Sequence, residues 1–145
     1  MVRASSIEVL GVTIQENLSM AGHVESLIGS ASQNLYALKT LKSHGLLDAQ
    51  LNNVCRATLI ARILYASPAW YGFSSAADRI RLQAIITKAA RWGVWAKNGK
   101  TLDEMFIAAD QSLFSKVLND RFHVLHRLLP PIKSHGHNFF RVFFV

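Results

Sequence analysis

The feature that most constrains the fold is an apolar pattern near the N-terminus that repeats at the spacing of an α-helix. It extends over roughly residues 23–42, and Lys39 and Lys42 lie near its C-terminal end, where cations suit the helix dipole. His44 and Gly45 then follow, and glycine commonly ends a helix. The sequence therefore predicts a long amphipathic helix here. Its apolar stripe consists of Val24, Leu27, Ile28, Ala31, Leu35, Leu38 and Leu41.

Two further helices are predicted in the middle of the chain. The second should begin with an aspartate N-cap and should end or bend before a proline, which cannot continue the hydrogen-bond ladder. The third should begin at a serine cap and close at a glycine. The second helix is expected from Asp48 to about Ala66, before Ser67 and Pro68. The third is expected from Ser74 or Ser75 to Trp92, before Gly93. The apolar stripe of the third helix is Leu82, Ile85, Ile86 and Ala89.

Smaller elements are predicted on both sides of these helices. Residues 7–14 alternate β-forming side chains, and Gly11 falls where a bend is needed, so a short hairpin is expected. Thr101 and Glu104 form a capping-box pattern that opens a short helix toward Ala109. A last helix is predicted over Gln111–Leu129, ahead of two prolines. The expected fold class is mostly α, with a short N-terminal β hairpin, a three-helix bundle and small C-terminal helices.

Composition limits the kind of protein that this chain can be. Half of the 145 residues are hydrophobic and 17% are charged, which is enough apolar material to bury a core and argues against a disordered chain. The single cysteine, Cys55, cannot form an intramolecular disulfide and lies on an apolar face. The longest uncharged apolar stretch, residues 63–73, is too short to span a bilayer, and residues 2–6 lack a signal-peptide core. We therefore expect an intracellular protein, with cytoplasm and nucleus both open.

The positive charge is concentrated in the middle of the chain. The formal net charge is +7, and residues 45–100 carry +6 of it. On a helical wheel Arg81, Lys88 and Arg91 lie on one side of the third helix, beside its apolar stripe. Such a stripe could follow the phosphates of a nucleic acid, or it could be only a solvated basic face. A basic peripheral membrane protein is disfavoured, because the cations do not surround one strongly apolar face.

Arg62 is a separate basic candidate in the second helix. In a regular α-helix it lies on the same side as Leu51, Cys55 and Leu59, where an unpaired charge would be costly. We therefore expect Arg62 either to pair with a carboxylate or to lie at the mouth of a groove that reaches a phosphate.

Motifs of enzymatic chemistry are missing from the sequence. It has no P-loop, dinucleotide fingerprint, CxxC or nucleophile elbow. Only Asp103 and Glu104 are adjacent carboxylates, and they suit the first turn of a helix better than a two-metal site. His123 and His126, three residues apart on the predicted last helix, could bind zinc with two later histidines, but surface histidines are the simpler explanation. We predict no catalytic residue, no metal site and no cofactor.

Five segments carry a further pattern. In order they are EVLGVTI at 8–14, ASQNLYALKTL at 31–41, LYASPAW at 64–70, DRIRLQ at 78–83 with AAR at 89–91, and HVLHRLLP at 123–130. In their order and spacing they resemble the C-terminal part of a reverse transcriptase from a non-LTR (LINE-type) retrotransposon. The first is similar to the primer-grip hairpin that closes the palm, the second to the first thumb-side helix, and the third to the LYG-x-x-x-W segment. Two positions differ from the family pattern: Met20 stands where tryptophan is common, and Ala66 stands where glycine is usual.

The resemblance implies a thumb-like bundle that grips template–primer nucleic acid, an RNA–DNA hybrid or a duplex, without sequence preference. It implies that fingers and palm, with the catalytic aspartates and their Mg²⁺, lie upstream of Met1, so this chain alone should not polymerise. The predicted organisation is 1–20 hairpin, 21–96 thumb-like bundle, 97–131 helical appendage and 132–145 tail. The predicted nucleic-acid-binding residues are Arg62, Arg81, Lys88, Arg91, Lys97 and Lys100, with Leu10 and Gly11 as the primer-grip-like pair.

An alternative function from a different class remains open. The chain could be a small helical protein-interaction module without nucleic-acid function. In that case the aromatic tail, Phe139–Val145, would be the binding element rather than the basic stripe.

Overall fold

The secondary structure is mostly helical and begins with a two-stranded hairpin, which confirms the predicted fold class. The computed structural model describes residues 4–96 and 99–130. The chain divides into two compact units, Met1–Leu113 and Phe114–Val145. The elements are β1 (Ser6–Val9), β2 (Val12–Gln15), α1 (Ala21–Ser43), α2 (Asp48–Cys55), a π-helical turn (Arg56–Ile60), α3 (Ala61–Leu64), α4 (Ser67–Trp70), a 3-10 turn (Tyr71–Phe73), α5 (Ala76–Arg91), α6 (Leu102–Asn119) and a 3-10 turn (His126–Leu128).

The hairpin has the predicted bend at its tip. Strands β1 and β2 pair antiparallel, with Val9 opposite Val12. The two connecting residues, Leu10 and Gly11, have φ angles of +49° and +80°. Two consecutive positive φ angles are typical of the tight turns whose twist matches that of paired strands. Val12 is buried, so the hairpin is attached to the helices through its second strand.

Helix α1 is the long helix predicted from the apolar pattern. It begins at Ala21, two residues earlier than expected, and ends at Ser43. Gly45 follows with a φ of +90°, which confirms the predicted stop. Of the predicted stripe, Ile28 is half-buried and Leu41 is exposed. The buried members are Val24, Leu27, Ala31, Leu35 and Leu38.

The second helix differs from the prediction at its start and in its middle. Leu47 is the N-cap and Asp48 is the first helical residue, so the predicted aspartate cap is wrong by one position. A π-helical turn then separates α2 from α3. The helix ends at Leu64, ahead of Pro68, as the proline required.

The π-helical turn changes which side chains of the second helix face the core. Such a turn holds one residue more than an α-helical turn, so every following side chain is rotated about the axis. Ile63 is fully buried and Arg62 is exposed. The prediction that Arg62 shares the buried side of Cys55 and Leu59 is therefore wrong, because it assumed a regular α-helix.

Helix α5 has the predicted cap and stripe. Ser75 Oγ accepts a hydrogen bond from the backbone N–H of Asp78 at 3.1 Å, and Gly93 follows the helix with a φ of +68°. Its predicted stripe is buried in one apolar core with α1, α2 and α3. Trp70 is fully buried in this core, and its Nε1 donates a hydrogen bond to the Tyr65 carbonyl oxygen at 3.0 Å.

Helix α6 corrects the predictions for the C-terminal part. The capping box is confirmed: Glu104 N–H donates to Thr101 Oγ1 at 3.3 Å, and Thr101 N–H donates to Glu104 Oε2 at 2.7 Å. The predicted break near Ala109 is wrong, because no glycine or proline interrupts the segment and one helix continues to Asn119. There Asp120 Oδ1 accepts from the N–H of Phe122 at 2.9 Å, a local turn that competes with the helix.

The early end of α6 also removes the predicted histidine pair. His123 lies in a turn and His126 begins a 3-10 turn, so the two do not share one face of a helix. His126 Nδ1 lies 2.7 Å from the carbonyl oxygen of Val117. His135 and His137 lie outside the described residues. No helix of the described chain is long and apolar enough to cross a membrane.

Candidate nucleic-acid interface

Cations from two helices meet around one indole ring at the C-terminal end of α5. Lys39 Nζ of α1 and Lys88 Nζ of α5 each lie 4.7 Å from the centroid of the Trp92 ring. At that distance the negative face of an indole attracts an ammonium group. Arg91 precedes Trp92 and is exposed. We call Lys39, Lys88, Arg91 and Trp92 the cationic end of α5.

Lys42 holds this end of the helix in place. Its Nζ donates to the carbonyl oxygens of Trp92 at 3.2 Å and Gly93 at 3.0 Å, groups that the end of α5 leaves without a helical partner. The same Nζ lies 3.6 Å from Asp48 Oδ1. Lys42 therefore interacts with the C-terminal end of α5 and with the Asp48 carboxylate, and both of these partners lie within the fold.

The cations of this end lack such opposing charges. Within residues 4–96 and 99–130, no carboxylate forms an ion pair with Lys39, Lys88 or Arg91. Lys88 is half-buried beside the indole, whereas Lys39 and Arg91 are exposed. Their combined charge is therefore available to an external anion.

Arg81, the first member of the predicted stripe, is bound within the fold. Its guanidinium donates to Glu25 Oε2 of α1 at 2.5 Å and lies 3.5 Å from Asp78 Oδ1. The hydrogen bond that Arg81 donates to Glu25 raises the pKa of Arg81 above its ordinary value. Ten helical residues separate Arg81 from Arg91, about 15 Å along the axis. Arg81 therefore ties α5 to α1 and is set apart from the cationic end.

A second group of predicted residues meets beside the hairpin. Gly11 and Arg62 line one open groove between the hairpin tip, α1 and the π-helical turn, with a volume of about 430 Å³. The other lining residues are His23, Leu27, Ala57, Thr58, Ala61 and Tyr65. We call this the hairpin groove. Arg62 thus lies at a groove, one of the two positions expected for it, although it is not buried.

Leu10, the other primer-grip-like residue, forms the tip beside the groove. It is 85% exposed and has a φ of +49°, a conformation that costs a residue with a β-carbon free energy. Its carbonyl oxygen accepts a hydrogen bond from the Tyr65 hydroxyl at 3.2 Å. Neither burial nor backbone preference accounts for a leucine here, which keeps it a binding candidate.

His23 connects the hairpin to the helical core at the base of the groove. Its Nδ1 accepts a hydrogen bond from the Thr13 N–H at 3.5 Å, and its ring lies edge-on to Trp70 at 5.1 Å. Burial lowers the pKa of His23 below its ordinary value, and Glu8 opposes that shift. A neutral His23 is therefore part of the packed state of the hairpin.

The last two predicted cations are not part of either cluster. Lys100 is exposed in the loop before α6, and in the described chain no ion pair or ring contact links it to the cationic end. Lys97 lies outside the described residues.

Sequence reasoning missed Lys39 and Tyr65. Lys39 is distant from Lys88 along the chain, and only the packing of α1 against α5 brings both to Trp92. Tyr65 carried a signal, since it belongs to the LYASPAW segment, but the sequence does not show that its hydroxyl reaches the hairpin.

Comparison with known proteins does not assign the chain to a family. No family model matches the chain, and no curated protein or solved structure matches it either.

Among the described residues there is no group of three or more histidine, cysteine or acidic side chains placed to hold a metal ion. Burial raises the pKa of the Cys55 thiol to about 11. The basic clusters are therefore the features that suggest a function.

Proposed function

We propose that the chain binds nucleic-acid duplexes through their phosphates, without sequence preference, as the thumb-side region of a reverse transcriptase of the non-LTR retrotransposon type. The observation that carries this proposal is the cationic end of α5, where α1 and α5 present three cations that no described carboxylate opposes.

The indole ring prepares the two lysines for binding an anion. The ammonium groups of Lys39 and Lys88 each lie 4.7 Å from the centroid of the Trp92 ring, so they are close to each other. Because both side chains are already held by the ring, they lose less conformational freedom when an anion binds. Arg91 beside them offers a planar fork that suits a phosphate. Cations that meet phosphates release counterions, which gives affinity without reading the bases.

The backbone at Ala66 is consistent with the resemblance on which this proposal rests. The family pattern has glycine after the tyrosine of its LYG-x-x-x-W segment. Ala66 occupies that position with φ +49° and ψ 22°, a left-handed conformation that favours glycine. The segment also connects the helical core to the hairpin. The Tyr65 carbonyl oxygen accepts a hydrogen bond from Trp70 Nε1, and the Tyr65 hydroxyl donates one to the Leu10 carbonyl oxygen at the hairpin tip. The family's glycine would therefore suit the backbone of this chain.

Alanine replacement of the three cations tests the proposal. Fluorescence anisotropy with a labelled RNA–DNA hybrid should show that Lys39→Ala/Lys88→Ala/Arg91→Ala weakens binding by at least about tenfold. The matched control, Arg56→Ala/Lys116→Ala/Arg121→Ala, removes the same charge from exposed positions elsewhere and should bind within about twofold of the parent chain. Equal losses in both variants, or no loss in the first, would contradict the proposed interface.

The proposal assigns binding, and not polymerisation, to this chain alone. Nucleotide transfer needs carboxylates that hold two metal ions, and the described residues offer no such group. Primer extension on a poly(rA)/oligo(dT) substrate should therefore give no incorporation above a heat-inactivated control. Incorporation by the purified chain would overturn this part of the proposal.

A second candidate function is favoured by the exposed apolar side chains of the C-terminal unit. Phe122 is 97% exposed, and Val124 and Leu128 are exposed near it in the sequence. Such residues are typical of a protein-interaction surface. The tail that this alternative relied on, Phe139–Val145, lies outside the described residues. Normal duplex binding by a Phe122→Ser/Val124→Ser/Leu128→Ser variant would show that duplex binding does not depend on this apolar surface.

A further inference from the structure

The hairpin groove has the size and the mixed lining of a site for a small ligand. Its volume of about 430 Å³ falls within the range of small-molecule pockets, roughly 300–1,000 Å³. The hairpin tip forms one wall, α1 forms the second with Leu27, and the π-helical turn with the start of α3 forms the third. None of these residues belongs to the cationic end of α5.

One aromatic ring at the groove is held in a fixed position. The Tyr65 hydroxyl donates to the Leu10 carbonyl, and a β-carbon on Gly11 would lie 3.7 Å from Tyr65 Cε1. The residue is nevertheless 57% exposed. A half-exposed ring that is already ordered is a platform on which a nucleobase can stack at low entropic cost.

One guanidinium at the groove has no opposing charge. Arg62 is exposed, and no carboxylate in the part of the chain that the structure describes forms an ion pair with it. A guanidinium binds phosphate oxygens through two parallel hydrogen bonds. Arg62 precedes Tyr65 by three residues, so the cation and the ring lie at the same end of the helix.

The remaining helical wall is made of small side chains. Ala57 and Ala61 lie one helical turn apart, and the hydroxyl of Thr58 between them donates to the Val54 carbonyl at 2.8 Å. Short side chains leave room for a flat ligand next to the helix. Lengthening one of them should therefore fill the groove without disturbing the core, because Ala57 and Ala61 are exposed.

The π-helical turn is the reason that this site exists. In a regular helix Arg62 would point to the core with Cys55 and Leu59. The extra residue of the turn rotates Ile63 into the core and Arg62 out to the groove. Turns of this kind are frequent at functional sites.

We infer that the hairpin groove binds a single nucleotide, with the base stacked on Tyr65 and the phosphate bound by Arg62. A free nucleotide and an unpaired nucleotide at the end of a strand present the same chemistry, and both are tested below. This inference goes beyond backbone binding by the cationic end of α5, since it involves other residues and a base.

Titration of the ¹⁵N-labelled chain with AMP, followed by amide NMR shifts, tests the inference. We expect shifts at Gly11, Ala57 and Ala61. Adenosine and ribose 5-phosphate, which each lack one half of the ligand, should bind at least about tenfold more weakly. A single-stranded tetranucleotide that shifts the same amides more strongly than AMP would identify a strand end as the preferred source, and the reverse order would identify the free nucleotide.

Three variants complete the test. Arg62→Gln should weaken AMP binding by at least about tenfold, and Ala61→Leu should abolish it. Arg56→Gln, an exposed control at the start of the π-helical turn, should leave AMP binding unchanged. Blunt hybrid duplex should bind Arg62→Gln normally, so failure of this inference is distinguishable from failure of the duplex proposal. Absence of groove shifts, shifts centred on Trp92 instead, or unchanged AMP affinity in Arg62→Gln would overturn the inference.

Discussion

Ala66 and Leu10 carry β-carbons in a backbone region that favours glycine, with φ near +49° at both. One hydrogen bond connects the two positions. Tyr65 directly precedes Ala66, and the Tyr65 hydroxyl donates a hydrogen bond to the Leu10 carbonyl oxygen. Strain of this kind persists only where the surroundings hold it in place. Here it fixes the hairpin tip next to the helical core.

Replacing Ala66 with glycine should stabilise the protein. Release of the left-handed strain outweighs the greater freedom of glycine in the unfolded chain, for a gain of about 0.5–1 kcal/mol in the free energy of unfolding. Urea denaturation measures it. Ala84→Gly, an exposed position inside α5, is the control and should lose about 1 kcal/mol. A loss in Ala66→Gly as well would contradict the left-handed conformation.

His23 should make stability depend on pH. Its pKa is lowered in the folded state, so below the ordinary value of 6.5 the unfolded chain binds more protons than the folded one. Its contribution to stability is therefore complete above about pH 6.5 and is lost as the pH falls toward the lower, folded-state pKa.

Urea denaturation between about pH 8 and pH 5 measures this dependence. His23→Phe keeps a ring against Trp70 and should flatten the curve in that interval. His44→Gln, at an exposed position, should leave the curve unchanged. A His23→Phe variant with the full pH dependence of the parent chain would contradict a buried neutral His23.

The elements themselves were largely predictable, whereas their irregularities were not. Apolar spacing and caps predicted α1 and α5, because each helix buries one continuous stripe and carries its own stop signal. A π-helical turn leaves no such signal, so Arg62 was placed on the wrong side of its helix. The two C-terminal helices predicted on either side of Ala109 are one helix, because the segment between them contains no glycine or proline that would interrupt it.

Deleting Ala57 should convert the π-helical turn into a regular α-helix and leave the fold intact. With one residue removed, Leu51, Cys55, Leu59 and Ile63 fall within an arc of about 60° in a regular α-helix. Circular dichroism and urea unfolding should show native helix content and a cooperative transition. Deleting Ala84 from α5 instead rotates the stripe that follows it by about 100°, and that variant should lose cooperative unfolding. Loss of folding in both deletions would contradict the extra-residue account.

At the scale of the whole molecule, the candidate interface depends on packing between distant helices. The net charge, its concentration in residues 45–100 and the choice of Lys88 as a candidate cation could be derived from the sequence. The partners of each cation were not, because helix packing decides that Glu25 neutralises Arg81 while Lys39 reinforces Lys88. A helical wheel of one helix cannot show charges contributed by its neighbour.

The salt dependence of duplex binding is the most direct test of the central claim, that this chain grips nucleic acid by its phosphates. Affinity for an RNA–DNA hybrid should fall with salt at a slope of about −3 in log K against log salt concentration, because each of the three cations releases close to one counterion. Two hybrids of unrelated sequence should give the same slope and the same affinity, since backbone contacts do not read bases. A slope near zero, or an affinity that differs strongly between the two sequences, would contradict the claim.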